Sequence, residues 1–405
     1  MNRKFILQIF LAMFLAAVAG WYVGTTTELF GVPVYQIFEL GGKLFLNALK
    51  LVVIPLVASS IIMGAARIGA ESMGSMGART FGYFLLTSTL AVIVGALTVY
   101  IMAPGAGQSF AFSPETALQE ASPFQQISQI FTKIIPENIF KSASESQILG
   151  LIPFCLLFGY FSSKIDTQTS NILQGFWRGV FQVMMLMTKL IMRALPFGVF
   201  MLIGHVVATT GADSFRSVAH FAITALLAMA IYAFGVLPLL LKSKGISPWK
   251  YYKALAPALL TAFTTSSSAA TLPVTLECIE KEAKMSNRVC SFVVPLGTSI
   301  NLGGSALYQC VAVFFIVQAY GIALTLPSAA LIMLLSLLTT LGMAGIPSAS
   351  LVSVVLILHT LNIPEEGIGL LAAFDRVLDM FRTPTNVLTT ACSAALVAKS
   401  EGESL

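Results

Sequence analysis

Charged residues are scarce in this chain of 405 residues. Asp, Glu, Lys and Arg together make up 10% of it, whereas 57% of the residues are hydrophobic. Soluble domains carry about 25% charged residues, so this composition excludes an ordinary water-exposed surface. Apolar runs of about twenty residues recur along the chain, and each is long enough to span a bilayer as a helix. The sequence therefore predicts an all-α polytopic membrane protein embedded in the lipid bilayer.

Histidine and cysteine are also rare. The three histidines are scattered, which argues against a His-cluster metal site, and the five cysteines show no close metal-type spacing. Most of the cysteines fall in apolar segments, where small buried side chains are expected rather than disulfides. The net charge of +5 comes from basic residues dispersed among loops, so no nucleic-acid partner is expected. No cofactor is predicted.

Six spanning segments are predicted before the chain reaches residue 245. The first begins after the basic Arg3 and Lys4; it is longer than the apolar region of a typical signal peptide, and no convincing cleavage site follows it. The second and fifth exceed a single crossing, so tilt or kinks are expected. The polar stretch Pro104–Ser146 is the one sizeable loop predicted outside the membrane. The segments are Phe5–Gly24, Val34–Ile68, Phe81–Met102, Ile148–Phe161, Phe176–Val207 and Phe221–Leu241.

The orientation follows from basic residues in the short connections. Arg67 and Arg79 flank the second connection, Lys164 lies in the fourth, and a group of lysines that begins with Lys242 follows the sixth. Cytoplasmic loops are enriched in Lys and Arg, and these alternate connections lie on the same side as the basic N-terminus. We predict a protein of the cell (inner) membrane with both termini in the cytoplasm.

The simple pattern changes after Lys253, where Gly, Pro, Ser and Thr interrupt the apolar segments. The interruptions read SSSAATLP (266–273), PLGTSINLGGS (295–305) and TTLGMAGIPSAS (339–350). Non-helical backbone inside a membrane needs protein or a water-filled cavity to satisfy its polar groups, and transporters bind ions and solutes where broken helices meet. Small residues that let helices pack closely are the alternative. Three such clusters, each with Pro or paired Gly, favour a binding site at the membrane midplane.

The last spanning segment carries a polar face. Asp375, Asp379, Arg382 and Asn386 are spaced four, three and four residues apart, so they share one side of a helix. Charged groups inside a membrane are costly and nearly always face the bundle interior or a polar cavity. One alternative is that Asp379 and Arg382 simply neutralise each other across one turn. Arg376 points about 100° away from Asp375, and its role stays open.

The polar face suggests a pocket for a small zwitterion with an additional acid group. The planar guanidinium of Arg382 matches a carboxylate through two hydrogen bonds, and the Asp379 carboxylate, one turn away, suits an ammonium group. An acidic amino acid fits both, so the sequence predicts a transporter rather than an enzyme. A channel lined by broken helices and an intramembrane hydrolase that uses Ser267 and His359 are the rival functions. The Arg–Asp pair suits one bound solute better than free flow, and no histidine lies near the serines in the sequence.

Four motifs, TSSSAATLPVT, PLGTSINLGGSALYQ, LGMAGIPSAS and DRVLDMFRTPTNVL, occur in a characteristic order. With them the chain resembles, over essentially its whole length, the dicarboxylate/amino acid:cation symporter family, which includes archaeal aspartate transporters and mammalian excitatory amino acid transporters. The resemblance implies about eight transmembrane helices plus two re-entrant helical hairpins, near Trp249–Lys284 and Pro327–Leu361, in a homotrimer. It also implies an elevator mechanism, in which a transport domain slides along a scaffold domain.

The resemblance divides the chain into four parts. Residues 1–70 are expected to form scaffold helices 1 and 2, and residues 71–103 helix 3 of the transport domain. Residues 104–241 are expected to contain an extracellular or periplasmic loop, scaffold helices 4 and 5 and transport helix 6. Residues 242–405 are expected to form the transport core, with hairpin 1, broken helix 7, hairpin 2 and helix 8.

The same resemblance implies which residues bind the substrate. Arg382 would bind the side-chain carboxylate and Asp379 the amino group. The serine turn, Ser266–Ser268, would bind a substrate carboxylate from the cytoplasmic side through hydroxyls and backbone N–H groups. The second hairpin would close the site from the outside of the membrane. The implied set is Ser267, Ser268, Ser305, Ile346, Pro347, Ser350, Asp379, Arg382, Thr383 and Asn386.

The cation sites depart from the family pattern. Sodium-coupled members usually have one aspartate in an NMDGT motif and another in NVxGD, where this chain has Gly303 and Thr390. Leu302 stands where a methionine usually links ion and substrate binding. The other positions of these sites, and of a third site built mainly of carbonyls, are Thr87, Ser88, Gly297, Ser299, Asn301, Thr340, Leu341, Met343, Asp375 and Asn386.

Hydroxyls and an amide bind a monovalent cation poorly when no carboxylate neutralises it. We therefore predict that coupling differs from the usual three-sodium stoichiometry. Protons (H+), fewer sodium ions (Na+) or plain exchange are the candidates, with Asp375 or a substrate carboxylate as the proton carrier. A C4-dicarboxylate or neutral amino acid transporter or exchanger of the same family, and an anion-conducting channel, stay open as alternatives.

Overall fold

Helices make up most of the computed structural model of the protein. The structure describes residues 3–29, 31–70, 75–106, 135–144, 148–210, 213–341, 343, 349–361, 363–364 and 368–403. In chain order, the helices within these residues are α1 Arg3–Val23, α2 Val34–Ala70, α3 Ser75–Met102, α4 Ile139–Ser144, α5 Ile148–Ser162, α6 Thr167–Arg193, α7 Leu195–Thr210, α8 Asp213–Ile231, α9 Leu237–Ser243, α10 Pro248–Thr265, α11 Ser268–Glu277, α12 Asn287–Ile300, α13 Gly303–Ala319, α14 Leu326–Leu341, α15 Ala349–Thr360 and α16 Ile368–Ser400.

Two short π-helical segments extend these helices. Tyr232–Val236 joins α8 to α9, and Cys278–Glu282 follows α11. A minimal antiparallel ribbon of two-residue strands, β1 Glu28–Leu29 and β2 Val32–Pro33, connects α1 to α2. The ribbon contributes little to the core, so the architecture is all-α, as the sequence predicts.

The fifth predicted span, for which a tilt or kink is expected, is broken in the structure. The apolar stretch Phe176–Val207 is two helices, α6 and α7, which meet at Ala194. Pro196 lies in the first turn of α7, where the missing N–H of proline removes no helical hydrogen bond. Proline therefore starts a new helix here, and the hydropathy pattern indicates that the span is too long for one crossing but not where it breaks.

Helices of membrane-spanning size are present. By length and composition, three stretches among the described residues are long and apolar enough to cross a membrane, namely Met76–Met102, Val218–Ser243 and Asn287–Ala319. Shorter apolar helices accompany them, and the number of about eight transmembrane helices stays a prediction. Large side chains on α1, such as Leu11, Phe14 and Trp21, are exposed, which is typical of a surface that contacts lipid rather than water.

The helices pack in two groups. In the first, α1 lies against α7, and α2 lies against α5, α6 and α7. In the second, α3, α8, α14, α15 and α16 surround α13, and α10 packs along α16. Almost every residue of α13 is buried, which explains why this helix has no polar side: a helix that is apolar all round belongs in a core.

The three interruptions predicted after residue 253 coincide with helix ends. Ser266 adopts left-handed φ and ψ of 49° and 37° and ends α10, and α11 begins two residues later. Asn301 and Leu302 leave the helical region between α12 and α13. Helix α14 ends at Leu341 and α15 begins at Ala349. These helix ends confirm that the helices are interrupted at all three motifs.

Candidate functional site

The polar face of α16 lies inside the protein. The side chains of Asp375, Asp379, Arg382 and Asn386 are all buried, with Arg382 only 1% exposed. A four-three-four spacing keeps them on one side of a continuous helix, and the neighbouring helices cover that side. The prediction that these groups face the bundle interior rather than lipid is confirmed.

Ion pairs within the helix satisfy Arg382. Its Nε and Nη2 donate to Asp379 Oδ1 at 3.1 and 2.6 Å, and its Nη1 donates to Asp375 Oδ1 at 3.0 Å. The alternative of mutual neutralisation therefore describes the arrangement in this structure. A ligand carboxylate that approaches Arg382 has to compete with two carboxylates that are already in place.

Arg376 belongs to the same cluster. Its side chain is 3% exposed, and Nη1 lies 3.4 Å from Asp379 Oδ2. This placement answers the question that the sequence leaves open, because Arg376 faces a buried carboxylate and not lipid. Two arginines and two aspartates give the buried cluster a formal charge of zero, which removes most of the cost of burying isolated charges.

Tyr308 on α13 is a member of this cluster that the sequence analysis does not identify. The Arg382 guanidinium carbon lies 4.3 Å from the centre of its ring, a cation–π geometry. Among the described residues, the hydroxyl of Tyr308 and Oδ2 of Asp375 have no hydrogen-bond partner. The only signal in the sequence is an aromatic residue with a polar end in an otherwise apolar segment.

Ser305 and Asn386 are brought together as predicted for one site. The Asn386 amide accepts a hydrogen bond from the Ser305 backbone N–H and donates one to the Ser305 hydroxyl, both at 2.9 Å. Gly304 makes this approach possible, because a Cβ there would lie 2.7 Å from the Arg382 carbonyl oxygen. The N-terminus of α13 thus meets α16 within one turn of the charged cluster.

The serine turn reaches the same region of α16. Ser267 caps α11 by accepting a hydrogen bond from Ala270 N–H at 3.3 Å, and Ser268 is buried at the first position of α11. The rings of Phe263 and Phe381 are 5.2 Å apart in an edge-to-face contact. This contact places the end of α10 beside the residue that precedes Arg382.

Of the other predicted substrate residues, two are buried and two lie outside the part of the chain that the structure describes. Thr383 is buried on α16, and Ser350 is buried at the start of α15. The Ser350 hydroxyl lies 4.0 Å from the sulfur of Met343. Ile346 and Pro347 lie outside the described residues. The contribution of the second hairpin to the pocket therefore stays a prediction.

Thr87, Ser88 and Asn301 form a second buried cluster. The Ser88 hydroxyl donates to Asn301 Oδ1 at 3.0 Å, and the Thr87 hydroxyl lies 3.2 Å from the same oxygen. The Asn301 amide nitrogen donates to the Ser393 hydroxyl at 2.9 Å. The residues that resemble cation ligands are thus adjacent, but they bond to each other and to neighbouring hydroxyls.

The two positions that lack aspartate lie beside this neutral cluster. The Thr390 hydroxyl donates to the Asn301 carbonyl at 3.2 Å. A Cβ on Gly297 would lie 2.6 Å from the Thr390 methyl carbon, and one on Gly303 would lie 2.8 Å from Thr389 and 3.1 Å from the Tyr232 hydroxyl. Tyr232 and Thr389 fill the space beside Gly303, a role the sequence analysis does not identify.

The residues of the third cation site lie near the second hairpin. Ser299 is in the last turn of α12, Thr340 and Leu341 end α14, and Met343 follows them. The Met343 N–H donates to the Thr340 carbonyl at 3.2 Å. Gln309 of α13 links this region to the core, since its Oε1 accepts a hydrogen bond from the Thr339 hydroxyl at 2.7 Å.

Comparison with known proteins adds an independent finding. A family model described as the sodium:dicarboxylate symporter family matches residues 5–400. A proton/sodium-glutamate symport protein of Bacillus caldotenax is 34% identical, over 98% of this chain and 94% of its own length. The proton/glutamate-aspartate symporter of Escherichia coli (strain K12) is 32% identical over 99% and 94%. Excitatory amino acid transporter 3 of Mus musculus is 30% identical over 98% and 86%.

The match covers every element that builds the two clusters, from α3 to the end of α16. The family and these relatives are transport proteins and not enzymes, in agreement with the absence of a catalytic assignment in the sequence analysis. A membrane location follows for the same reason. This chain belongs to the sodium:dicarboxylate symporter family.

Proposed function

We propose that this protein is a secondary active symporter of acidic amino acids such as glutamate or aspartate. The observation that carries the proposal is the buried cluster of Arg382, Asp379, Asp375 and Arg376 on α16. Charges of both signs in the interior of a membrane protein mark the path of a charged solute or ion. The relatives named as glutamate or glutamate-aspartate symporters support the same substrate class.

Substrate binding rearranges the ion pairs that the cluster already contains. The side-chain carboxylate of the substrate takes the guanidinium fork of Arg382 through two hydrogen bonds. Asp379 then turns from the arginine to the substrate ammonium group. The backbone N–H groups and hydroxyls of Ser267 and Ser268 receive the main-chain carboxylate, and Ser305, Thr383 and Asn386 complete the pocket.

Charge balance supports cation coupling. The buried cluster has two positive and two negative side chains, so it is formally neutral, whereas glutamate or aspartate brings one net negative charge. An uncompensated charge in a low-dielectric site is costly, so one positive charge has to accompany the substrate. A proton on Asp375 or on the substrate, or one sodium ion at the carbonyl-rich site near Met343, supplies it.

The number of coupled sodium ions is smaller than in relatives with both aspartates. The cluster of Thr87, Ser88 and Asn301 contains no carboxylate among the described residues, and Gly303 and Thr390 stand at the aspartate positions. Hydroxyls and an amide alone compensate poorly for the lost hydration of a cation. Proton coupling or reduced sodium coupling is therefore the proposed mode.

The transport cycle and assembly complete the proposal. The helix group around α13 is the transport domain, which moves as an elevator past a scaffold that includes α1, α2 and α5 to α7, in a homotrimer of the cell (inner) membrane. Arg79, in a basic connection, pairs with Glu401 at 2.8 Å. This contact supports a C-terminus on the same side as that connection, which the positive-inside rule assigns to the cytoplasm.

A neutral amino acid exchanger is the second candidate. Arg382 already bonds to two carboxylates, and a zwitterion without a side-chain carboxylate leaves that pairing undisturbed. A C4-dicarboxylate transporter is less favoured, since Asp379 would repel a substrate that lacks an ammonium group. An anion-conducting channel is disfavoured because every charge of the cluster is paired.

Purified protein in proteoliposomes tests the proposal. Uptake of labelled aspartate, glutamate, alanine and succinate is measured while sodium and proton gradients are imposed separately. We expect concentrative uptake of an acidic amino acid driven by a proton gradient or by sodium with a low stoichiometry. Exchange of alanine without a cation gradient would favour the second candidate. Strictly sodium-driven uptake with the full three-ion stoichiometry would refute the altered coupling.

A further inference from the structure

The space beside Gly303 is occupied by protein hydroxyls. We propose that the Tyr232 hydroxyl replaces the coupling cation of this site, so that the neutral cluster is held together without an ion. Tyr232 is fully buried, and its hydroxyl donates to the Thr87 backbone carbonyl at 3.0 Å. The Thr389 hydroxyl lies 3.4 Å from it. The inference rests on the proposed symport function and specifies which site has lost its ion.

The π-helical segment at Tyr232 explains the orientation of its side chain toward Gly303. It begins the π-helical segment Tyr232–Val236 between α8 and α9, and its carbonyl accepts a hydrogen bond from Leu237 N–H. A π-helical turn inserts an extra residue and reorients the side chains beside it, often at functional sites. The Tyr232 hydroxyl therefore lies beside Thr87 of α3, Gly303 of α13 and Thr389 of α16.

The oxygens that would face a cation here already accept hydrogen bonds from protein hydroxyls. Sodium needs several oxygen ligands whose lone pairs are free to face it. Here the Thr87 carbonyl accepts from Tyr232, and Asn301 Oδ1 accepts from Ser88 at 3.0 Å. The Asn301 carbonyl accepts from Thr390 at 3.2 Å. Each hydrogen bond places a partial positive charge where the ion would have its full charge.

Steric contact makes the replacement mutually exclusive with an aspartate. A Cβ on residue 303 would lie 2.8 Å from both side-chain carbon and oxygen atoms of Thr389, and 3.1 Å from the Tyr232 hydroxyl. A carboxylate beyond that Cβ has no room unless both side chains change. The three positions therefore depend on each other. Gly303 leaves a space beside α16, and the hydroxyls of Tyr232 and Thr389 fill it.

Tyr232 is consequently a positioning residue. It connects the start of α13, which carries Ser305, to α3 and α16, and these are the elements that build the substrate pocket. In a sodium-dependent site the ion makes this connection only when it is bound, so substrate affinity depends on its concentration. A hydroxyl makes the connection permanently, so the affinity loses that dependence.

Sodium titrations of substrate affinity test the inference. Aspartate and glutamate binding to the purified full-length protein is measured by calorimetry over a range of sodium concentrations, with choline chloride holding the ionic strength constant. For Gly303→Asp/Tyr232→Phe/Thr389→Ala, we expect the slope of log Kd against log sodium concentration to steepen by about one ion relative to the unaltered chain, by mass action. Gly303→Asp alone should leave the slope unchanged, because the hydroxyls still fill the space.

Two single variants test the site independently of the triple variant. Tyr232→Phe should weaken substrate affinity by about five- to tenfold, the effect of one buried hydrogen bond. Tyr251→Phe is the matched control: like Tyr232, it has a buried hydroxyl that donates to a backbone carbonyl, in this case that of Ala391 on α16, at 2.6 Å. The control should keep substrate affinity within about twofold, because this bond lies outside the neutral cluster.

Specific outcomes would overturn the inference. A flatter sodium slope in Ser88→Ala would mean that the neutral cluster binds sodium, and a steeper slope in Gly303→Asp alone would mean that the two hydroxyls do not exclude the ion. A folded triple variant with an unchanged slope, or equal effects of Tyr232→Phe and Tyr251→Phe, would also contradict it. If the unaltered chain binds no acidic amino acid, the proposed function fails instead. Melting temperatures of the same variants in sodium and in choline then test whether the Tyr232 hydroxyl takes the place of the ion.

Discussion

Two buried polar clusters involve side chains of the same helix, α16, and they differ in charge. The first has four charged side chains within eight residues, Asp375 to Arg382, which form ion pairs at 2.6 to 3.4 Å. The second, around Asn301, is joined by Thr389 and Ser393 and consists of hydroxyls, an amide and backbone carbonyls. Burying charge is costly in both places, so the difference indicates where charge is needed.

The comparison suggests a division of roles. Under the proposed function, charged side chains are retained where a charged solute would exchange with them during transport. They are absent where internal hydrogen bonds alone hold α3, α13 and α16 together. A site that releases its ligand in each cycle has to tolerate an exposed charge for part of the cycle, whereas a permanent junction does not.

Replacement of Arg382 by methionine should have the largest effect. The change leaves Asp375 and Asp379 with Arg376 as their remaining partner, and removing one member of a buried ion pair costs about 3–5 kcal/mol. We expect uptake of acidic amino acids to fall by at least about a thousandfold.

Uptake into proteoliposomes, with a melting curve for each variant, separates loss of binding from loss of folding. Arg382→Lys is the matched control, because lysine keeps the charge but lacks the planar fork; it should lose less stability than methionine while still binding substrate weakly. Normal glutamate uptake by a folded Arg382→Met variant would mean that the charged cluster is not part of the substrate site.

Replacement of Asp379 by asparagine should change selectivity. Asp379 bonds to both Arg376 and Arg382, and it is the proposed partner of the substrate ammonium group. We expect glutamate uptake to fall by about a hundredfold, in line with a charge-assisted hydrogen bond and a weakened ion pair, whereas succinate, which has no ammonium group, should be affected less.

Competition of succinate and glutamate for labelled uptake measures this change. Asp375→Asn is the control within the cluster, since Asp375 also pairs with Arg382 but is not the proposed partner of the substrate ammonium group. It should affect glutamate and succinate alike. If Asp379→Asn also reduces both substrates in equal proportion, Asp379 stabilises Arg382 and does not recognise the ammonium group.

Replacement of Asn386 by alanine tests the hydrogen bonds that join α16 to the start of α13, between the two clusters. Asn386 makes two hydrogen bonds to Ser305, each worth about 1 kcal/mol, so substrate affinity should fall by about thirtyfold. Ser305→Ala removes only the hydroxyl and should cost about fivefold. Calorimetry of substrate binding compares the two, and a larger loss in Ser305→Ala would show that the hydroxyl contacts the substrate directly.

The sequence predicts the charged cluster better than the neutral one. Helical spacing alone places Asp375, Asp379, Arg382 and Asn386 on one face, and the cost of intramembrane charge directs that face inward. Both predictions are confirmed. The pairing of Arg376 with Asp379 is not predictable in this way, because residues i and i+3 lie near each other but rotamers decide which partner each arginine takes.

The neutral cluster depends on contacts between residues that are far apart in the chain. Tyr232 and Thr87 are separated by 145 residues, and no local pattern connects them. The length of the fifth span predicts a tilt or kink, but the hydropathy pattern does not place the break between α6 and α7 at Ala194. A sequence shows periodicity and helix-breaking residues. It does not show which side chain fills the space that a missing carboxylate leaves.

Replacement of Arg79 by glutamine should have the smallest effect. Arg79 and Glu401 form the same kind of ion pair as Arg382 and Asp379, at 2.8 Å, but the Arg79 side chain is 43% exposed. Water and salt screen such a pair, which is worth about 0.2–1 kcal/mol. We expect the melting temperature to change by no more than about 2 °C, and uptake by no more than about twofold, with the difference vanishing at high salt. Glu401→Gln should reproduce this result. A loss comparable to that of Arg382→Met would mean that the contact between α3 and the end of α16 controls transport, so that burial would not explain the contrast between the two pairs.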